Sequence, residues 1–361
     1  MSDDDVAGRL VAWFTDQIPD AHGVRVEGLE RMEFGHSAEM LSLTIAWQAS
    51  GDSGGEHRQD VVVRLRPPSP GLLEPYDMRR QFDILRALEP TSVRAPRALW
   101  IDEVGEVLGR PFYVMERVPG QVYERSLPEE LKAAPERLAR MSERIFEQIA
   151  AIHLVDVQAS GLGSLDSGRR YVDSELERWE GEMHRWQRGT LPALERLLAT
   201  LRERRPPASP IVTLVHGDPK PGNFAFVDDE VTAVFDWELA TLGDPMADIG
   251  WADMTWRITP AFAGLSTAHF DEQLVRYEQL TGIAVHDREW YGAFQAFKMA
   301  VIQLVGAMLF DRGFSDDKRY ADMAMGVPWL TQLGLTALGI EEKLDPGPVA
   351  PRPERVAAAS A

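Results

Sequence analysis

Leu41, Leu43, Ile45 and Trp47 alternate with polar or small neighbours, and a period of two predicts a half-buried strand. The run Gly51 to His57 carries a turn composition, and Val61, Val62 and Val63 begin a returning strand. PPSPG (Pro67 to Gly71) breaks the chain. Met78, Phe82 and Leu85 then fall on one face of a helix expected from about Tyr76 to Leu88. Two more short strands are expected over Ala98 to Ile101 and Phe112 to Glu116. The first 118 residues therefore read as mostly strand with one helix.

Past Pro119-Gly120 the period changes. Leu138, Met141, Ile145, Ile149 and Ile152 keep helical spacing from Pro135 to about His153, and proline suits a first helical turn. Trp179 and Trp186 sit on a charged helix, and another is expected from Leu191 to Arg204. RRPPASP (Arg204 to Pro210) is a linker, and short strands are expected over Ile211 to Val215 and Val231 to Asp236. Helices fill the rest to about Leu338, including Ala296 to Phe310, an apolar run interrupted by Lys298 and Gln303. That run is short of a membrane span and reads as a buried core helix. The tail from Asp345 carries four prolines and ends in alanines, so disorder is expected over 345–361. The expected organisation is a strand-rich lobe over 1–116 and a mainly helical lobe over 117–344.

Composition narrows the functional classes. At 361 residues the chain can form two lobes sharing a cleft or one large domain. The absence of cysteine excludes disulfides, thiolate metal sites and a cysteine nucleophile. The start, MSDDD, is acidic where a secretory signal is basic, so a cytoplasmic setting with no membrane association is expected. A formal net charge of −19 opposes binding to phosphate backbones, so nucleic acid is not an expected partner. The charge is compatible with a cationic substrate and equally with plain solubility.

The segment from Ile211 to Trp251 holds the candidate chemistry. Asn223 follows Asp218 by five positions and Asp236 follows it by eighteen. Phosphoryl transfer needs a carboxylate to orient an attacking hydroxyl and take its proton, with oxygen ligands that hold Mg²⁺ on the phosphates. An Asn carbonyl and an Asp carboxylate are the hard donors Mg²⁺ favours. A loop leaving one strand, followed by a hairpin, can bring the three residues together.

HGDPKPGN (His216 to Asn223) resembles the H-x-D-x-x-x-x-N catalytic loop of kinases, in the version used by the aminoglycoside phosphotransferase and choline kinase superfamily. DWELATLGDPMADIGW (Asp236 to Trp251) resembles that superfamily's metal-binding segment. VVVRLRPPSPGLL, RPFYVMERVPG and AAIHLVD are similar to its strand, hinge and helix segments, in the right order. The wording is nearest to kinase-like domains found alone in actinobacteria or fused to some acyl-CoA dehydrogenases. The resemblance covers nearly the whole chain. It implies an α+β, two-lobed protein-kinase-like fold, with a small antiparallel-sheet lobe carrying one helix and a large mainly helical lobe. It also implies ATP, with GTP open, as phosphate donor, Mg as metal and a small-molecule hydroxyl as acceptor. By the same resemblance Asp218 is the base, Asn223 and Asp236 are the metal ligands, and His216 supports the loop. Asp248 anchors that loop from below or is a plain helix-start charge. Lys220 either reaches the transferred phosphate or is a solvated lysine.

On the nucleotide side, Gly35 and Ser37 in FGHSAEM (Phe34 to Met40) fall where a phosphate-covering loop belongs, although a plain hairpin turn reads as well. Met115 to Val118 resembles a kinase hinge, which implies adenine contacts from the Glu116 carbonyl and the Val118 amide. Two departures from the protein-kinase pattern stand out. Arg64 replaces the usual strand lysine, and Gln81 stands where a glutamate is expected; Glu74 or Asp77 are alternative partners for the guanidinium. These departures keep a pseudokinase open. A metal-dependent hydrolase is disfavoured by scattered histidines, and a protein kinase by the missing activation segment after Asp236.

Overall fold

Ser2 and Asp5 close a reciprocal cap at the start of helix α1 (Asp3–Gln17) in the computed structural model, which describes residues 1–32, 39–49, 55–124, 126–166, 168–258, 267–353 and 355. Val6, Leu10 and Phe14 recur every four residues along α1 and are buried. Strand periodicity alone does not announce this helix, although its cap and its apolar stripe are both legible. It packs on a five-stranded antiparallel sheet in the order β1-β2-β3-β5-β4. The strands are β1 (Ala21–Met32), β2 (Glu39–Ala49), β3 (Glu56–Leu65), β4 (Ala98–Asp102) and β5 (Phe112–Glu116), with helix α2 (Met78–Leu88) between β3 and β4.

Alternation decides what each sheet face holds. Val61, Val63 and Leu65 of β3 face the core with Leu41, Leu43, Phe112, Val114 and the α1 side chains. Arg64 falls on the opposite face, in register with Met40 and Tyr113. Gln81 of α2 meets Tyr113 on that face. Met1–Gly120, with these elements, form one compact unit, and Gln121–Ala361 form a second.

The second unit contains a three-stranded sheet, β6 (Gln121–Val122), β8 (Phe224–Val227) and β9 (Glu230–Val234), and a two-stranded pair, β7 (Thr213–Val215) with β10 (Thr241–Gly243). Around them stand α3 (Glu129–Lys132), α4 (Pro135–His153), α5 (Tyr171–Trp186), α6 (Pro192–Glu203), α7 (Met246–Ile258), α8 (Thr267–Thr281), α9 (Arg288–Asp311), α10 (Lys318–Asp322) and α11 (Gly326–Ala337). Helix α4 starts at Pro135 and buries the apolar stripe read from the sequence. Helix α9 is long and apolar enough to cross a bilayer by composition, yet 89% of its apolar window is buried inside the unit. It packs against α5, α6, α7, α10 and α11, so its apolar surface serves a protein core.

Part of the segment expected to be disordered over 345–361 has partners, while 354 and 356–361 lie outside the described residues. Residues 345–353 and 355 are held against the helices. The Asp345 carbonyl accepts the Ala193 N–H at 3.0 Å. Arg352 donates from its backbone N–H to the buried Asp311 carboxylate at the end of α9 at 2.6 Å, and Arg355 donates to the Phe310 carbonyl at 2.8 Å. Proline content suggested disorder, but two arginines meeting a buried helix end give the segment its partners.

Candidate active site

The loop between β7 and β8 carries His216, Gly217, Asp218, Lys220 and Asn223. Gly217 holds φ +83°, and a Cβ there would meet the Leu239 carbonyl oxygen at 2.6 Å. Glycine is thus required by both conformation and space. Helix α7 supplies the floor. The buried Asp248 carboxylate accepts the His216 N–H at 2.7 Å and the Gly217 N–H at 2.8 Å, and His153 Nε2 of α4 lies 3.1 Å away. His153 Nδ1 in turn meets the Tyr277 hydroxyl at 2.7 Å. Burial alone would raise the Asp248 pKa, but His153 and His216 outweigh it and hold the carboxyl below its ordinary range. The anchoring role expected of Asp248 is therefore what its contacts perform.

His216 ties the loop to the following hairpin. Its Nε2 meets the Phe235 carbonyl at 2.8 Å, and its Nδ1 accepts the Asp218 N–H at 3.2 Å. The Phe235 N–H donates to the Asn223 carbonyl at 2.8 Å. Asp236 follows in the left-handed region, φ 66°, a conformation aspartate tolerates better than most residues.

Asp218 and Asn223 are in direct contact. Asn223 Nδ2 donates to the Asp218 backbone carbonyl at 2.8 Å and to Asp218 Oδ2 at 3.0 Å. Asp218 Oδ1 is buried and makes no hydrogen bond with the described residues. Lys220 lies 3.2 Å from Asp218 Oδ2 and 3.8 Å from Glu124. Burial would lower its pKa, but Asp218, then Asp236 and Glu124, outweigh that and hold the ammonium above the ordinary lysine range. Lys220 is thus an ion-paired group within the site, not a freely solvated lysine.

The oxygen donors of Asn223 and Asp236 are of the type that could hold a magnesium ion. Asn223 has its side-chain nitrogen engaged by Asp218, so its side-chain oxygen is the atom that could take a cation, and Asp236 carries a carboxylate. Among the described residues no cluster of three or more His, Cys, Asp or Glu could cage an ion. Two hard oxygens suit Mg²⁺ shared with phosphates and water better than a zinc site.

In the first unit Arg64 is buried on β3. Gln81 receives the Tyr113 hydroxyl at 3.4 Å, Asp77 caps α2 by accepting the Arg80 N–H at 2.9 Å, and Glu74 accepts the Ser69 hydroxyl. The Glu116 side chain is held by Arg97 at 2.8 Å, and its N–H donates to the Arg97 carbonyl at 2.9 Å. Glu116 and Val118 thus lie where β5 leaves the sheet. Gly35 and Ser37 lie outside the described residues.

Two contributors escaped the sequence reading. His153 belongs to the AAIHLVD block, but only the fold sets it under Asp248. Lys298 of α9 donates to the Gly217 carbonyl at 2.9 Å; its one sequence signal is a charge inside an apolar helix.

A family model described as the phosphotransferase enzyme family matches residues 50–290. Acyl-CoA dehydrogenase family member 10 of Mus musculus is 31% identical over 259 residues, 68% of this chain and 24% of that protein. Acyl-CoA dehydrogenase family member 11 of Gallus gallus is 28% identical over 261 residues, 68% of this chain and 33% of that protein. The match therefore spans about a quarter to a third of these relatives. A crystal structure of a candidate aminoglycoside phosphotransferase from Ralstonia eutropha is similar at a TM-score of 0.74 and 27% identity, covering 92% of this chain and 98% of that one. A thermostable aminoglycoside phosphotransferase APH(4)-Ia mutant, solved with ADP and hygromycin B, aligns at a TM-score of 0.60 and 16% identity, covering 93% and 98%. The chain has the α+β, two-lobed, kinase-like fold of these structures.

Proposed function

This chain belongs to the phosphotransferase enzyme family, and from that premise we propose that it moves the γ-phosphate of ATP to a hydroxyl group of a small molecule. The observation that carries the reading is Asp218. One carboxylate oxygen is fixed by Asn223 and Lys220, while the other is buried without a hydrogen-bond partner among the described residues. An acceptor hydroxyl within reach of the Asp218 carboxylate would be oriented and would pass its proton there as its oxygen bonds to phosphorus and the nucleoside diphosphate leaves.

Asn223 and Asp236 would hold magnesium, which when bound neutralises charge on the phosphate oxygens. Lys220, still cationic because of its carboxylate neighbours, is suited to follow the transferred phosphate. Arg64 would take phosphate oxygens in place of the usual lysine, and the Glu116 carbonyl and Val118 amide would meet the adenine. A small acceptor is favoured over a protein because only about a dozen residues separate Asp236 from Asp248, with Gly243-Asp244-Pro245 among them; that interval leaves no peptide platform.

The test is ADP release by the purified protein with Mg-ATP and a panel of hydroxylated metabolites, aminoglycosides and proteins. Acceptor-dependent ADP release with a small alcohol is expected. Nucleotide binding without turnover on any acceptor would favour a pseudokinase, and transfer to protein side chains alone would remove the small-molecule acceptor.

A further inference from the structure

Lys298 interrupts the apolar run of α9 and is 1% exposed. Its ammonium lies 4.9 Å from the Trp251 ring centroid and 5.8 Å from that of Trp179, close enough for cation–π attraction. Burying an ammonium costs several kcal/mol. A methionine of similar length would fill the same slot at no such cost, so packing does not account for the charge.

The contact it makes does account for it. The Gly217 carbonyl that receives Lys298 Nζ at 2.9 Å and the Asp218 N–H that donates to His216 Nδ1 at 3.2 Å belong to one peptide group. That plane is clamped at both ends. The two preceding N–H groups, of His216 and Gly217, are taken by Asp248. The clamp fixes the plane from which the Asp218 N–Cα bond leaves. The following peptide is held through the Asp218 carbonyl, which accepts the Lys220 N–H and Asn223 Nδ2, each at 2.8 Å. With both flanking peptides held, the backbone torsions of Asp218 and the direction of its carboxylate are restricted. Gly217 by itself gives the loop unusual conformational freedom at that peptide, so an external clamp is needed there more than elsewhere. The charged groups facing Lys298 are Glu175 and Arg178 of α5, Asp218 of the loop and Asp248 of α7. Burial pushes the ammonium's pKa down, and Glu175 is the leading group that opposes it.

We propose that Lys298 is a positioning residue for Asp218, holding the Gly217–Asp218 peptide so that the carboxylate keeps the one direction its chemistry needs. The proposal rests on the phosphotransferase reading of Asp218, and its test separates the two. In Lys298→Met, kcat should fall roughly 10- to 100-fold, the scale of a misaimed catalytic group, while calorimetry gives an unchanged Kd for Mg-ATP. Amide hydrogen exchange should quicken at Gly217 and Asp218 and stay slow in the cores of α4 and α11. Lys298→Arg keeps a cation and a donor, and should recover most of the turnover. Wild-type kcat in Lys298→Met would overturn the proposal, as would exchange that quickens throughout the second unit, the mark of ordinary destabilisation. If the wild-type protein transfers no phosphate to any acceptor, the functional reading falls, while local exchange in Lys298→Met still decides whether Lys298 holds the loop.

Discussion

The His216–Asn223 loop of the second unit and the sheet of the first hold their candidate functional groups by different means. On the loop, side chains from distant parts of the chain grip backbone atoms: Asp248 takes two N–H groups, Lys298 takes a carbonyl, and His216 spans to Phe235. In the sheet, Arg64 and Glu116 stand on strands whose ladder already fixes the backbone. A ladder tolerates side-chain change because its bonds run between main-chain groups. A loop clamped by a few buried side chains does not, since removing one leaves its partners buried and unsatisfied.

The largest expected effect follows from that difference. Asp248→Ala strips an acceptor from the His216 and Gly217 N–H groups and from His153, and should cost about 3–5 kcal/mol in urea unfolding, the scale for breaking a buried charged contact. The folded Asp248 carboxyl titrates below its unfolded value of 3.8. Its stabilisation is therefore complete above that value and is lost as pH falls through the lower, folded pKa. Acid titration of the variant should lack this component. A variant as stable as wild type at neutral pH would remove the distinction between the two regions.

Next in size is Asp218→Asn, which should lower kcat by at least ~100-fold, as for loss of a general base. Nucleotide affinity should stay the same, because the proposed base would meet the acceptor and not the nucleotide; wild-type turnover would take Asp218 out of the mechanism. Asp236→Ala should weaken Mg-ATP binding measured by calorimetry, and Ca²⁺ should support turnover poorly in the native protein. Unchanged affinity and activity in that variant would place the metal elsewhere.

The first unit should respond less. Arg64→Met is expected to lose nucleotide kcat/KM by roughly tenfold, and Arg64→Lys to keep part of it. If both match wild type, the strand carries no phosphate contact. The smallest effect is expected from Glu116→Ala. Its backbone atoms would serve the adenine while its side chain serves Arg97, and an exposed ion pair contributes about 0–1 kcal/mol. A large loss of ATP affinity in that variant would show that the side chain itself is used.

Much of this was written in local pattern. Period-two alternation marked β2, helical spacing marked α4 from Pro135 to His153, and β5 runs over Phe112–Glu116 as read. The H-x-D-x-x-x-x-N spacing put Asp218 and Asn223 on one short loop, where their side chains meet. Helix α1 was missed: the first unit carries two helices, α1 and α2, where one was expected, and the alternation that follows α1 drew the reading toward strand. What lies beyond local pattern was decided by tertiary structure. Gln81 faces Tyr113 because alternation on β5 turns that tyrosine toward α2. The tail lies on α9 because Asp311 is buried where Arg352 can reach it. His153, Asp248 and Lys298 come from three different helices, and no sequence spacing relates them to Gly217. A residue's own neighbours determine its helix or strand. Which backbone group a buried charge will satisfy depends on how the helices pack, and only the folded chain brings those groups within hydrogen-bonding distance.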